Sequence, residues 1–162
     1  MSTSNIVILG AGTGGFLLFR ELASKLANTS YNLIVVEPRE FYIHLPGTLR
    51  MVVSPVDGYE NKSIMDHPSD LSSGNVRFVY AKATSIVDNG SNGGCVTLDN
   101  EESIDYSVLI LATGSCWSGP IEFGTEKEAI LESVSSWRAK FKEAQDIVLV
   151  GGGPIGFGKF PP

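Results

Sequence analysis

Residues 5–15 read Asn-Ile-Val-Ile-Leu-Gly-Ala-Gly-Thr-Gly-Gly, and this stretch decides the fold. Asn5 to Leu9 is a short apolar run ending at a glycine, the pattern of a parallel strand buried on both faces. Gly10, Gly12 and Gly15 then fall in the three glycine positions of G-x-G-x-x-G. The spacing predicts a helix over Thr13 to Ala27, with Phe16, Leu17, Phe19, Leu22, Ala23 and Leu26 near the helical period. Asn28-Thr29-Ser30 punctuates it, and Tyr31 to Glu37 is a second buried strand stopped by Pro38. Strand, helix and strand in so short a span make a right-handed βαβ unit.

Each position in the turn has a physical task. Gly10 allows the tight turn, Gly12 lets the backbone approach a pyrophosphate, and Gly15 lets helix and strand pack closely. Ala11, Thr13 and Gly14 complete the loop, whose N–H groups face the phosphates together with the positive end of the helix dipole. Glu37 stands about 20 residues beyond the last glycine, where a carboxylate accepts the ribose hydroxyls of an adenosine. The same carboxylate disfavours the 2′-phosphate of NADP, leaving NAD or FAD. A glycine-rich turn with no ligand is the competing reading, and the strand before it and the acid after it argue against that.

Outward from this unit, residues 38–74 are broken by Pro46, Gly47, Pro55, Gly58 and Pro68 into loops with a helical turn or two. Val76–Tyr80 reads as a strand. Ala83–Val87 and Cys95–Leu98 read as a hairpin around the Gly/Asn-rich tip 88–94. Ile104 to Leu111 reads as one further strand, ending in Ala112-Thr113-Gly114. Thr125-Glu-Lys-Glu128 has the form of a capping box, followed by an amphipathic helix through Ile130, Val134, Trp137 and Phe141 to about Ala144. Ile147-Val-Leu-Val150 reads as a closing strand into a second fingerprint, Gly151-Gly-Gly153-Pro-Ile-Gly156. Gly153 to Lys159 also matches the opening of a P-loop, but Phe160 stands where Ser or Thr must bind magnesium. The expected fold is α/β: a Rossmann-like domain with a parallel sheet and an inserted antiparallel hairpin or meander.

Composition narrows the function classes. Hydrophobic residues at 43% and charged residues at 19% are those of a globular chain. Eighteen acidic against twelve basic residues, net −6, argue against a nucleic-acid partner. No apolar run is long enough for a transmembrane helix, and the N-terminal residues lack a basic signal region, which predicts a cytoplasmic chain. Cys95 and Cys116 have neither CxxC nor zinc spacing and are expected to be buried thiols, with no metal site.

Four blocks taken together resemble a known family. They are Ile6–Gly15, Phe41-Tyr-Ile-His44 with Leu49-Arg50, Asp105–Ser115, and Ile147–Gly156. The order is similar to that of the pyridine nucleotide-disulfide oxidoreductase superfamily, in particular its apoptosis-inducing-factor-like and ferroptosis-suppressor-like branch. The resemblance implies FAD at the first fingerprint and NAD(P)H, in a full-length relative, at the second. It implies FAD contacts at Gly10–Gly15 and Glu37, at Arg50 beside the flavin, at the Ala83 backbone beside adenine, and at Ala112, Thr113 and Gly114. His44 lies near the matching flavin-side loop. No catalytic side chain is assigned, because the flavin performs the reaction: hydride from NAD(P)H, then electrons to a quinone-like acceptor. Disulfide reduction is not expected, since this branch and this chain lack a redox CxxC near the first helix. The resemblance also brings peripheral-membrane or mitochondrial association alongside the cytoplasmic reading.

The expected division is a FAD-binding domain over 1–145 and the first strand and turn of a truncated NAD(P)H-binding domain over 146–162. Three functional readings follow: the FAD-binding portion of an oxidoreductase, inactive or weakly active in this form; a non-catalytic binding or regulatory module; and a homo-oligomer completed through strand 147–150, an exposed edge.

Overall fold

The computed structural model describes residues 4–55, 58–68, 71–72 and 74–153. In chain order come β1 (Ser4–Leu9), α1 (Thr13–Leu26), β2 (Tyr31–Glu37), β3 (Phe41–Ile43), α2 (Leu45–Val53), α3 (Tyr59–Ser63) and β4 (Ile64–Asp66). There follow β5 (Val76–Tyr80), β6 (Ala83–Asp88), β7 (Gly94–Leu98), β8 (Ser103–Tyr106), β9 (Val108–Leu111) and α4 (Lys127–Glu143). Two compact units result, Met1–Tyr42 with Asp66–Ser115, and Ile43–Met65 with Cys116–Pro162.

The first unit is built on a parallel sheet of order β5-β2-β1-β9. Counting only its own strands, this is 3-2-1-4, the order of doubly wound dinucleotide-binding sheets. β1 pairs with β2 from Ser4↔Tyr31 to Leu9↔Val36, and with β9 from Ile6↔Val108 to Leu9↔Leu111. The two-residue period of a strand sends alternate side chains to opposite faces. Val7, Leu9, Ile34, Val36 and Val79 therefore meet Val96, Leu98, Ile104 and Tyr106 of the antiparallel sheet β6-β7-β8. Ile8, Leu33 and Val35 meet Phe16, Phe19, Leu22 and Leu26 of α1. The layers are thus helix, parallel sheet, antiparallel meander, as the expected fold requires.

Several local expectations are corrected. Leu17 is 58% exposed, and Leu18 rather than Leu17 joins the core face of α1. The apolar run 104–111 is two strands, because the Ser107 N–H and hydroxyl both donate to Asn5 O at 2.9 Å. That anchor transfers the chain from the meander (β8) to the parallel sheet (β9). α1 ends at Leu26, whose carbonyl accepts from the Thr29 hydroxyl at 2.9 Å and from Asn75 Nδ2 at 2.8 Å. Cys95 is half-buried, but Cys116 is an exposed free thiol in the irregular segment after Gly114, not the buried one expected. Within 38–74 the structure adds the short strands β3 and β4, which pair with each other.

In the second unit, α4 buries Ile130 and Val134 and turns Arg138 toward the end of α2. The Thr125–Glu128 capping box does not form. The Thr125 hydroxyl bonds the Glu126 carboxylate at 3.3 Å, and Glu126, with no side-chain cap, is the last residue before the helix. Residues 147–150 form no strand. A strand needs a neighbour to share its hydrogen bonds, and here Val148 and Val150 are 85% and 96% exposed without one. Of the second fingerprint, residues 154–156 lie outside the described residues, as does most of the P-loop match. No helix among the described residues is long and apolar enough to cross a membrane.

Arg138 donates to Met51 O at 2.7 Å and Ser54 O at 2.9 Å and forms an ion pair with Glu60. It thereby satisfies carbonyls that the end of α2 leaves free. Burial acts to raise the Glu60 carboxyl, but its own backbone N–H and the Arg138 guanidinium outweigh that and hold it below the usual glutamate range. A depressed folded-state value means the contribution is present at neutral pH and is lost as pH falls through that value. Arg138→Met should lower stability in urea unfolding by about 3 kcal/mol and should flatten the loss of stability in acid.

Candidate functional site: a glycine-rich turn closed by Glu37

The site lies at the C-terminal end of the parallel sheet, between β1 and β9, where the strand order reverses direction. Open α/β sheets bind ligands at such a switch point. Gly10 leaves β1 at φ 97°, a conformation that L side chains rarely adopt, and its N–H donates to Val36 O at 2.8 Å. A Cβ on Gly10 would come within 2.4 Å of Ala112 O, and one on Gly15 within 1.9 Å of Gly10 O. Those two glycines therefore serve close packing of turn, helix and β9. Gly12 and Gly14 differ: a Cβ at either would meet nothing within 4 Å.

Glu37 fixes the turn. Its side chain is 6% exposed, and Oε2 accepts the Ala11 N–H at 2.7 Å while Oε1 accepts the Arg39 N–H at 3.1 Å. Ala11 is itself buried, so it acts through this bond and not as a free donor. With Gly10 and Ala11 committed to β2, the N–H groups that follow open the helix. Among the described residues the first of these to find a backbone acceptor is Phe16, on Gly12 O at 2.8 Å. Gly12 is the N-cap without a side-chain cap, and the first turn of α1 carries no acidic residue. The result is a run of N–H groups from Gly12 to Gly15 with no acceptor among the described residues, at the positive end of a helix, with Gly12, Thr13 and Gly14 exposed and Gly15 buried.

An aromatic wall stands beside Glu37, and sequence reasoning missed it. His67 stacks on Phe16 (centroids 6.1 Å, 12°) and on Tyr80 (5.8 Å, 15°). Tyr80, paired with Glu37 in the sheet register, places its hydroxyl 3.3 Å from His67 Nδ1. The Thr13 and Tyr42 hydroxyls lie 2.9 Å apart. Burial pushes the His67 imidazole below its ordinary value, against the pull of Glu37 and Asp66. Burial likewise raises the Tyr80 phenol, helped by Glu40 and Glu37. Tyr80 was legible as the end of a strand, but no local pattern marks His67.

Other expected site residues are placed as follows. Ala112 donates its N–H to Leu9 O at 2.8 Å, and Thr113 and Gly114 (φ 74°) continue outward from it, exposed. Ala83 opens β6 at a bulge, three residues beyond Tyr80. Arg50 belongs to the second unit, where it stands over the Tyr59 ring at 5.2 Å. Among the described residues no group of His, Cys, Asp and Glu is arranged to hold a metal ion.

Comparison with known proteins agrees with this geometry. The model of the family described as "Pyridine nucleotide-disulphide oxidoreductase" matches residues 4–158. The chain belongs to this family. Within the pyridine nucleotide-disulphide oxidoreductases, it is 41% identical over 106 residues to the FAD-dependent oxidoreductase FVFD30 of Flammulina velutipes, covering 65% of this chain and 33% of that one. It is 31% identical over 157 residues to apoptosis-inducing factor 1 of Saccharomyces cerevisiae, covering 94% of this chain and 38% of the relative. The sulfide:quinone oxidoreductase of Aquifex aeolicus shares the fold, with TM-score 0.64 at 18% identity over 86% of this chain and 33% of that one. The chain thus spans between 33% and 38% of the length of these proteins.

The two kinds of glycine predict opposite outcomes for one methyl group. Gly15→Ala forces a backbone clash and should cost about 3 kcal/mol in denaturant unfolding. Gly12→Ala should change stability by less than about 1 kcal/mol.

Proposed function

We propose that this chain is the FAD-binding portion of an NAD(P)H-dependent oxidoreductase. The observation that carries the reading is the run of N–H groups at Gly12–Gly15 without an acceptor among the described residues, exposed from Gly12 to Gly14 and held in place by Glu37. Those donors and the helix dipole suit a pyrophosphate. Glu37 is also suited to the adenosine ribose: each carboxylate oxygen has two lone pairs, and one backbone N–H on each leaves capacity for hydroxyls. The family, and the FAD dependence of a 41%-identical relative, favour FAD among dinucleotides.

In this reading Gly12, Thr13, Gly14 and Gly15 hold the phosphates, while Gly10 and Ala11 shape the turn. Arg50, the Ala83 backbone and Ala112–Gly114 contribute by family resemblance. When bound, the flavin supplies the redox chemistry, taking a hydride equivalent from NAD(P)H and yielding electrons to a quinone-like acceptor. The chain's own part is to bind and orient. We assign 1–145 to the FAD-binding domain and 146–162 to the opening of an NAD(P)H-binding domain, with little or no turnover from this chain by itself. The shared third of each relative's length supports that assignment. A cytoplasmic location belongs to the same proposal, supported by two free thiols, one of them exposed.

Gly12 provides the direct test, because a side chain there enters the ligand's space without touching the protein. FAD titrated into the purified chain should quench flavin fluorescence saturably. Gly12→Val should weaken binding at least about tenfold with an unchanged melting temperature. Equal affinity in both proteins would overturn the assignment, and no uptake by either would favour a non-catalytic module.

A further inference from the structure

The second unit contains a cavity of about 390 Å³ whose lining includes His44, Gly47, Arg50, Tyr59, Lys62 and Ser63. Three independent features of it point to one ligand chemistry. Arg50 and Lys62 both line it and both stand 5.2 Å from the centre of the Tyr59 ring, which brings two like charges to one aromatic side chain. None of the described residues lining the cavity is acidic, in a chain of net charge −6. The nearby carboxylate of Glu60 is already engaged by Arg138. An anion in the cavity would be attracted by both cations, neither of which has an ion-pair partner among the described residues.

Ser63 supplies the second kind of observation. It is 1% exposed, yet its hydroxyl has no hydrogen-bond partner. A buried hydroxyl left unpaired is costly, and such groups are retained where a water, ion or ligand completes them. Gly47 is what leaves the hydroxyl room, since a Cβ there would come within 2.7 Å of Ser63 Oγ. The Ser63 carbonyl, by contrast, is satisfied by the His44 N–H at 2.7 Å, which fixes the residue.

We propose that this cavity is an oxyanion site, in which Arg50 and Lys62 supply the charge and Ser63 the neutral donor for a phosphoryl group. The site lies wholly within the second unit and does not depend on the dinucleotide reading of the glycine turn. Of the residues lining it, Arg50 is given a flavin contact by family resemblance, and His44 lies near the matching loop. Because the dinucleotide's phosphates are assigned to the glycine turn, the phosphoryl group taken here belongs to a separate phosphorylated molecule.

Calorimetric titration of the whole chain with inorganic pyrophosphate tests this. Saturable uptake is expected, weakened about tenfold in Lys62→Gln and in Ser63→Ala. Lys62 is exposed and Ser63→Ala removes only an unpaired hydroxyl, so both variants should melt no lower than the parent. Pre-saturation with FAD should leave this uptake in place, and its loss would overturn the assignment to a separate molecule. Absence of saturable uptake, or uptake indifferent to both substitutions, overturns the proposal. Failure of the dinucleotide reading would show in the FAD titration alone, leaving the pyrophosphate result intact.

Discussion

The bond from the Ala11 N–H to Glu37 Oε2, 2.7 Å long and buried, couples two strands that sequence places far apart. A carboxylate taken out of water must be met by strong donors or it destabilises the fold. Here the donors are backbone N–H groups of the turn after β1 and of the residue pair after β2, so satisfying Glu37 fixes the turn's shape. Such charge-assisted bonds are stronger than neutral ones. The Gly10 N–H, bonded to Val36 O, closes the turn from the same strand. Once these two peptides face β2, the next four N–H groups have no acceptor among the described residues, and the first three belong to exposed residues. The availability of those donors is therefore a consequence of the packing, not a separate feature added to it.

Most of the first unit was legible because its signals are local. The apolar runs of β1 and β2, the glycine spacing and Glu37 each follow from period, turn chemistry and charge. The layer arrangement follows from the same runs, since a strand apolar at every position must be covered on both faces. What could not be read is set by contacts between distant segments. Ser107 splits an unbroken apolar run because its N–H and hydroxyl find Asn5 O, about a hundred residues earlier. His67 joins the site through stacking on Phe16 and Tyr80, from a stretch whose sequence signals only loop. Thr125 carries a capping pattern, but its hydroxyl meets the adjacent Glu126 carboxylate instead.

Glu37 itself was read for one task, and the structure shows it engaged in another. Its position at the end of β2 marked it as a ribose acceptor, a reading carried by spacing. Its bond to Ala11 is visible only once β1 and β2 are paired in register. Arg138 and Ser63 in the second unit make the same point in opposite directions. Arg138, on the polar side of an amphipathic pattern, is largely enclosed by carbonyls and a carboxylate. Ser63, unremarkable in sequence, is buried with its hydroxyl unpaired. Burial and partnership, not residue type, separate a structural group from one that awaits a ligand.

The central claim is that the N–H groups of Gly12, Thr13, Gly14 and Gly15 are unpaired donors kept ready for a dinucleotide. Amide hydrogen exchange resolved at these residues, with and without saturating FAD, tests it most directly. The account predicts fast exchange in the free chain, slowed on FAD addition at these four amides, while Gly10 and Ala11 are protected in both states by Val36 and Glu37. Equal exchange at the four amides with and without bound FAD would contradict it.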